Sequence, residues 1–231
     1  GGAGSFTKTG GGVLTLAAAN TFSGSATVVE GTLRLDGSLA NGNGGLTVAS
    51  GGTLTGHGSS VKPVVLANGG LIAPDGTLAV AGLTWHGGGT VALELSAGER
   101  LAVSGALNKG EAGAYTFAFT ADTPLAPGAW HTVGTFGSTD LTAADLTYTG
   151  LTGYLGAFDV SGGEIRFTAV PEGPAAAFQL WSVLQGLPSG QDGPADDADG
   201  DHRSNLLEFA LGLDPHVIDG PDASTTTVDV G

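Results

Sequence analysis

The residues with the clearest chemical potential form a twelve-residue stretch near the C-terminus, from Asp197 to Glu208. Alternating acids let one tight loop direct several carboxylates at a common centre, and oxygen ligands at this spacing are typical of calcium-binding loops. The residue at position 7 of such a loop offers its backbone carbonyl. The sequence therefore predicts a Ca²⁺ site whose ligands are Asp197, Asp199, Asp201, Arg203 (through its carbonyl), Asn205 and Glu208.

One position departs from the usual calcium loop. Position 6 normally holds Gly for a sharp turn, but here it is His202, and Gly200 stands two residues earlier. The alternative interpretation is a solvated acidic linker. Clustered carboxylates repel one another, however, and Arg203 is the only Lys or Arg between residues 185 and 231. A bound cation would offset that repulsion, which favours the calcium interpretation.

Two short helices are expected to hold this loop. The apolar spacing predicts one helix over 175–185 and a second over 204–211, and Gly residues follow both. Residues 175–218 would then form a small helix–calcium loop–helix module. A Pro-rich linker is predicted at 170–174, and 219–231 would be a tail containing a possible β-strand.

The acidic loop and the residues after it resemble the bacterial thrombospondin-type-3-like or dockerin-like calcium motif. Its second half runs N-x-x-E-x-x-x-G-x-D-P, and residues 205–215 match it closely. The resemblance implies Ca²⁺ as the bound ion.

Residues 1–169 have a different character. Gly supplies 43 of the 231 residues of the chain, and short alternating apolar runs recur between Gly-rich turns. Runs this short must stack on one another to bury a core, which indicates a β-solenoid. A β-sandwich is the alternative, but its strands are usually spaced further apart. The residues expected to point inward are Leu14, Leu16, Val28, Leu33, Leu35, Leu46, Val48, Leu54, Leu66, Leu78 and Val80.

Residues 10–35 resemble the autotransporter-associated β-strand repeat. Its pattern G-x-L-x-L, N-T-Y/F-x-G and T-x-V-x-x-G-x-L corresponds to residues 12–16, 20–24 and 27–33. The resemblance implies a mostly β chain folded as a right-handed parallel β-helix and secreted or displayed on a bacterial cell surface. Together with the calcium motif, the chain looks like large exported proteins of verrucomicrobial type.

From about residue 90 the predicted strands become longer, as expected for the capped end of a solenoid. Aromatic residues collect in this part, and they suggest either a carbohydrate-binding strip or a filled core, of which the core is favoured. These residues are Tyr115, Phe117, Phe119, Trp130, Phe136, Phe158 and Phe167.

Charge and composition exclude several classes. The net charge of −15 argues against nucleic acid or an anionic membrane surface as a partner. The chain has no Cys, and no apolar run reaches 18 residues, so a membrane-spanning helix is not expected. It starts Gly-Gly-Ala-Gly without Met or a basic segment, as expected for a mature or excised fragment.

Catalysis is not expected. The charged residues before 170 look scattered along the sequence, and His57, His86 and His131 look isolated. The predicted function is a non-catalytic extracellular structural or adhesive surface protein, able to form fibres and stabilised by calcium. The alternative is a carbohydrate-binding or polysaccharide-degrading β-helix. Expected partners are a second copy, joined head-to-tail by strand addition through 224–230, and a glycan or cell-surface ligand.

Overall fold

A computed structural model describes residues 2–219 of the chain. It divides into two units, Gly1–Ala169 and Val170–Gly231. The first eleven strands are β1 (Phe6–Lys8), β2 (Val13–Leu16), β3 (Ala19–Asn20), β4 (Ala26–Val28), β5 (Gly31–Leu35), β6 (Ser38–Leu39), β7 (Leu46–Val48), β8 (Gly52–Gly56), β9 (Ser59–Ser60), β10 (Val64–Leu66) and β11 (Leu71–Pro74). The others are β12 (Thr77–Val80), β13 (Leu83–Trp85), β14 (Thr90–Glu94), β15 (Arg100–Val103), β16 (Ala106–Lys109), β17 (Tyr115–Thr120), β18 (Trp130–Thr135), β19 (Ser138–Thr139), β20 (Leu146–Thr149), β21 (Tyr154–Ser161) and β22 (Glu164–Pro171).

From β4 to β20, each strand pairs with the strand three positions earlier in the chain, and this pattern builds three sheets. Sheet 1 runs β1-β4-β7-β10-β13-β16-β19, and sheet 2 runs β2-β5-β8-β11-β14-β17-β20. Sheet 3 runs β3-β6-β9-β12-β15-β18-β22-β21. The strands of sheets 1 and 2, and those of sheet 3 from β3 to β18, pair in parallel, whereas β18 meets β22 antiparallel. The predicted parallel β-solenoid is therefore confirmed.

Alternating burial along the strands fills the solenoid. In sheet 2, Leu33 pairs with Leu54 and Leu54 lies beside Ile72, and all three are fully buried. Every residue predicted to point inward is buried except Leu14 and Leu16. Leu14 is 38% exposed and Leu16 is partly buried. Both lie on β2, the edge strand of sheet 2, so no preceding strand of the described chain covers them.

Close stacking of the turns demands glycine at some corners. At Gly44 the backbone has φ of +70°, and a Cβ there would lie 2.7 Å from the carbonyl carbon of Gly24 in the preceding turn. Any side chain would therefore be strained by conformation and by contact at once.

The aromatic residues of the later turns form a core. Tyr115, Phe117, Phe119 and Phe167 are buried, and Trp85 packs edge-on against Phe117 with ring centroids 5.3 Å apart. Phe136 and Phe158 are partly buried against the same cluster. This confirms the filled-core interpretation for these residues. The hairpin β21–β22, which turns at Gly162 and Gly163, lies antiparallel on β18.

The second unit contains two helices, α1 (Ala176–Gln185) and α2 (Asn205–Leu211). Each ends at a Gly in the left-handed conformation, Gly186 and Gly212, both with φ of 69°. The helices pack through rings, since Phe209 contacts both Phe178 and Trp181 with centroids 5.9 and 5.6 Å away. β22 extends through Pro171, into the segment predicted as a linker.

Candidate cation site

The acidic loop is held in place by the first residue of α2. Asn205 is fully buried, and its amide nitrogen donates to the carbonyls of Gln191 (2.7 Å) and Gly193 (3.0 Å). Its side-chain oxygen accepts the N–H of Ala198 at 3.3 Å, and its own N–H donates to the carbonyl of Asp196 at 2.7 Å. Asn205 thus ties the segment before the loop to the start of the helix.

Within the loop, backbone N–H groups turn toward the acidic side chains. Asp197 accepts from Gly200 at 2.7 Å and from His202 at 2.8 Å, and Asp199 accepts from Asp201 at 3.1 Å. His202 adopts φ of 73°, the one positive φ of a non-glycine residue in the described chain. The sharp turn expected from Gly at position 6 is therefore made by His202 itself.

Two groups of carboxylates result. Asp197, Asp199 and Asp201 form the first group, and Asp201, Glu208 and Asp219 form the second. Within each group, one oxygen from every residue lies within 4.8 Å of the others. Asp201 belongs to both, so the two groups are continuous.

Glu208 is the most unusual member. It is fully buried, and neither of its carboxylate oxygens has a hydrogen-bond partner among the described residues. One oxygen each of Asp199 and Asp219 is likewise shielded from solvent and accepts no hydrogen bond there. Burial, followed by the charges of Asp199 and Asp201, raises the pKa of Glu208. A buried carboxylate without a donor is strongly unfavourable unless a cation compensates it.

The remaining charges are arranged around Arg203. Its guanidinium lies 3.1 Å from Asp201 and 3.6 Å from Asp219, and it also donates to the Asp219 carbonyl at 3.2 Å. Burial opposes ionisation of Asp197, but the N–H groups of His202 and Gly200 outweigh it and lower the pKa of that carboxyl. The unpaired oxygens fit a hard divalent cation, because such cations prefer carboxylate and carbonyl ligands.

Sequence reasoning anticipated most of this cluster. The structure brings together the carboxylates of Asp197, Asp199, Asp201 and Glu208. Asn205 lies beside them with its side chain bonded to backbone groups. Arg203, predicted to offer its carbonyl, contributes an ion pair to Asp201 through its guanidinium. Asp219 was missed and assigned to the tail, because it lies outside the twelve-residue spacing and only the return of the chain after α2 brings it close.

On the solenoid, the expectation of scattered charges is wrong. Arg34 lies 2.8 Å from Asp36 and 2.6 Å from Asp75, and the His57 ring lies 3.6 Å from Asp36. His86, also predicted to be isolated, lies 3.8 Å from Glu111. Asp36, His57 and Asp75 follow β5, β8 and β11, so they stack at the same corner of three successive turns. Since both aspartates contact the Arg34 guanidinium, the cluster links turns that strand pairing alone does not join directly.

Two partly exposed aromatic rings of the solenoid lie near a cation, and one of them is Phe22, whose ring centroid is 4.8 Å from the Lys62 ammonium. Trp130 is half-buried, and the Arg166 guanidinium lies over it, 5.1 Å from the ring centroid. Arg166 also pairs with Asp159 at 2.5 Å. The guanidinium covers one face of this ring and closes that face to stacking by a sugar.

The fold defines the class of protein as a parallel β-solenoid with stacked, repeated turns. A family model described as the passenger-associated-transport-repeat matches residues 6–35, which hold β1 to β5. The repeat and the solenoid together fit an autotransporter-associated repeat protein. No curated protein matches the chain. Among the described residues, no helix has the length and apolar character needed to cross a membrane.

Proposed function

We propose that this chain is a non-catalytic structural segment of an extracellular bacterial surface protein, with a C-terminal module that Ca²⁺ stabilises. The solenoid supports the structural role, because its side chains form a continuous apolar core and contacts between turns. The match to a passenger-associated repeat supports secretion or display at the cell surface.

The buried, unpaired carboxylate of Glu208 carries the calcium part of the proposal. Two short helices joined by an acidic loop have little stability of their own. A bound Ca²⁺ would pair the oxygens of Glu208 and of the aspartates around it, and would add its binding free energy to folding.

Glu208→Gln tests this proposal because it should raise the stability of the module in the absence of calcium and lower it in the presence of calcium. Without calcium, Gln removes a buried unpaired charge, so the module should become more stable than the native one. With calcium, the variant should lose most of the stabilisation that the ion gives the native chain. Asp192→Asn is the matched control, since Asp192 is exposed and belongs to neither carboxylate group.

Calorimetric titration with CaCl₂ and thermal unfolding, with and without chelator, measure both effects. A native chain that binds no Ca²⁺ at millimolar concentration would contradict the calcium part. A Glu208→Gln chain that is less stable than the native one in chelator would indicate a protein partner for Glu208 in place of an ion.

The adhesive and fibre-forming roles extend the same proposal. β1, β2 and β3 are the edge strands of the three sheets among the described residues, and Val13 on β2 is 65% exposed. A β-prone segment of a second copy could pair with such an edge and bury these apolar side chains. Residues 224–230 have the required alternation, and they lie outside the described residues. Head-to-tail addition of this kind does not close, so it would produce filaments.

Deleting residues 222–231 tests this assembly. Light scattering and electron microscopy should detect filaments of the full chain and none of the deletion variant. Filaments that persist after the deletion would exclude strand donation by the tail, and a monomeric full chain would exclude assembly. Binding of the monomer to a glycan array would instead support a cell-surface glycan as the partner.

A further inference from the structure

The chain beyond α2 folds back to the acidic loop. Asp219 donates its N–H to a carboxylate oxygen of Asp201 at 3.1 Å and accepts from the Arg203 guanidinium through its carbonyl at 3.2 Å. Its carboxylate shares the 4.8 Å group with Asp201 and Glu208. Asp219 is thus held by two residues of the acidic loop, Asp201 and Arg203.

One carboxylate oxygen of Asp219 takes no part in these hydrogen bonds. Oδ2 is shielded from solvent and accepts no hydrogen bond, although it lies 3.6 Å from an Arg203 nitrogen. The fully buried Glu208 places a carboxylate oxygen in the same group, and neither of its oxygens accepts a hydrogen bond from the described residues. Buried carboxylate oxygens without hydrogen bonds therefore converge from two segments, and a bound cation would offset the repulsion that remains beside the Arg203–Asp219 ion pair.

We propose that Asp219 is a further calcium ligand and that calcium fastens the returning segment, residues 214–219, onto the loop. This inference rests on the calcium site of the proposed function. A twelve-residue loop with Glu208 needs no residue after α2, so the assignment adds a third segment to the site. It also makes the exit direction of the chain at residue 219 depend on the ion.

The first test compares Asp219→Asn with Asp214→Asn by calorimetric titration with CaCl₂. Asp214 belongs to the same segment but is exposed, and its carboxylate accepts the His216 N–H at 3.0 Å, a role that Asn can keep. We expect the dissociation constant to rise at least about tenfold in Asp219→Asn, since even residues that only support metal ligands are worth about 10–100-fold. Asp214→Asn should stay within about twofold of the native chain.

The second test uses the native chain, so it does not depend on the folding of any variant. Hydrogen exchange of peptides covering 214–219 should slow when Ca²⁺ is added, together with those covering 197–208. Slowing of 197–208 alone, with native affinity in Asp219→Asn, would overturn this inference and leave the calcium site intact. No binding by the native chain would instead contradict the proposed function on which it rests.

Discussion

Replacing Leu33 with Ala tests how the solenoid is stabilised. Leu33 is fully buried in the sheet 2 column between Leu14 and Leu54. The change removes three carbon atoms with their hydrogens, and the burial of each contributes about 0.8 kcal/mol to the free energy of transfer from water. The cavity left behind adds to this loss, so the free energy of unfolding should fall by about 3–4 kcal/mol, within the usual range of about 2–5 kcal/mol.

Leu14→Ala is the matched control for this substitution. Leu14 belongs to the same column and loses the same atoms, but it is 38% exposed at the edge of the sheet. Only part of its side chain leaves water on folding, and no closed cavity forms when it is shortened. We expect a loss of about 1–1.5 kcal/mol, less than half that of Leu33→Ala.

Thermal and urea unfolding, followed through the β-sheet signal of circular dichroism, measure both variants. For a chain of this size 1 kcal/mol corresponds to about 2–4 °C in melting temperature, so Leu33→Ala should melt about 6–16 °C lower than the native chain. Equal losses at the two positions would refute the argument that burial between turns determines the cost. An unchanged melting temperature in Leu33→Ala would refute the inward assignment itself.

Three further predictions concern the two units separately. Chelator should reduce the helical part of the circular dichroism and leave the β-sheet part intact, since only the module depends on the ion; equal loss of both signals would contradict this. His202→Val should lower the stability of the module by about 1–2 kcal/mol in thermal unfolding, because a β-branched residue is strained at φ of 73°, whereas His202→Gly should be tolerated. Hydrogen bonds from the Thr142 hydroxyl and N–H and from Lys109 lower the pKa of Asp145 to about 2. Its stabilising effect is therefore complete above the unfolded value of about 3.9 and is lost as the pH falls toward 2. Asp145→Asn should flatten the decline of melting temperature between pH 4 and about 2, and an unchanged slope would contradict the assignment.

Local patterns were sufficient to predict the solenoid. Alternation such as Thr32-Leu33-Arg34-Leu35 assigns an inward and an outward face without knowledge of any neighbour, and Leu33 and Leu35 are indeed buried. The failure at Leu14 has a simple cause. Burial of an inward residue also requires a turn on each side, and β2 has a described neighbour on one side only.

Contacts between distant segments were not predictable in the same way. Arg34 and Asp75 are 41 residues apart, and they meet because the lengths of the turns between them put both at one corner. Asp219 lies near Asp201 only because the chain reverses after Gly212. The spacing of the acidic loop, in contrast, is local, and for that reason the sequence sufficed to identify its carboxylates.

The stacking of turns also determines how the solenoid would respond to force. Early turns are shorter than late ones, since 20 residues separate Ser5 from Ser25 and 31 separate Thr116 from Thr147. A chain pulled from its N-terminal end would lose one turn at a time, because the strand hydrogen bonds of each early turn are made with the turn that follows it. At about 3.5 Å per extended residue, each early rupture would release roughly 70 Å of chain and each late one roughly 110 Å. The length of chain released by each rupture would therefore increase as unfolding moves from the N-terminal turns toward the aromatic-rich turns.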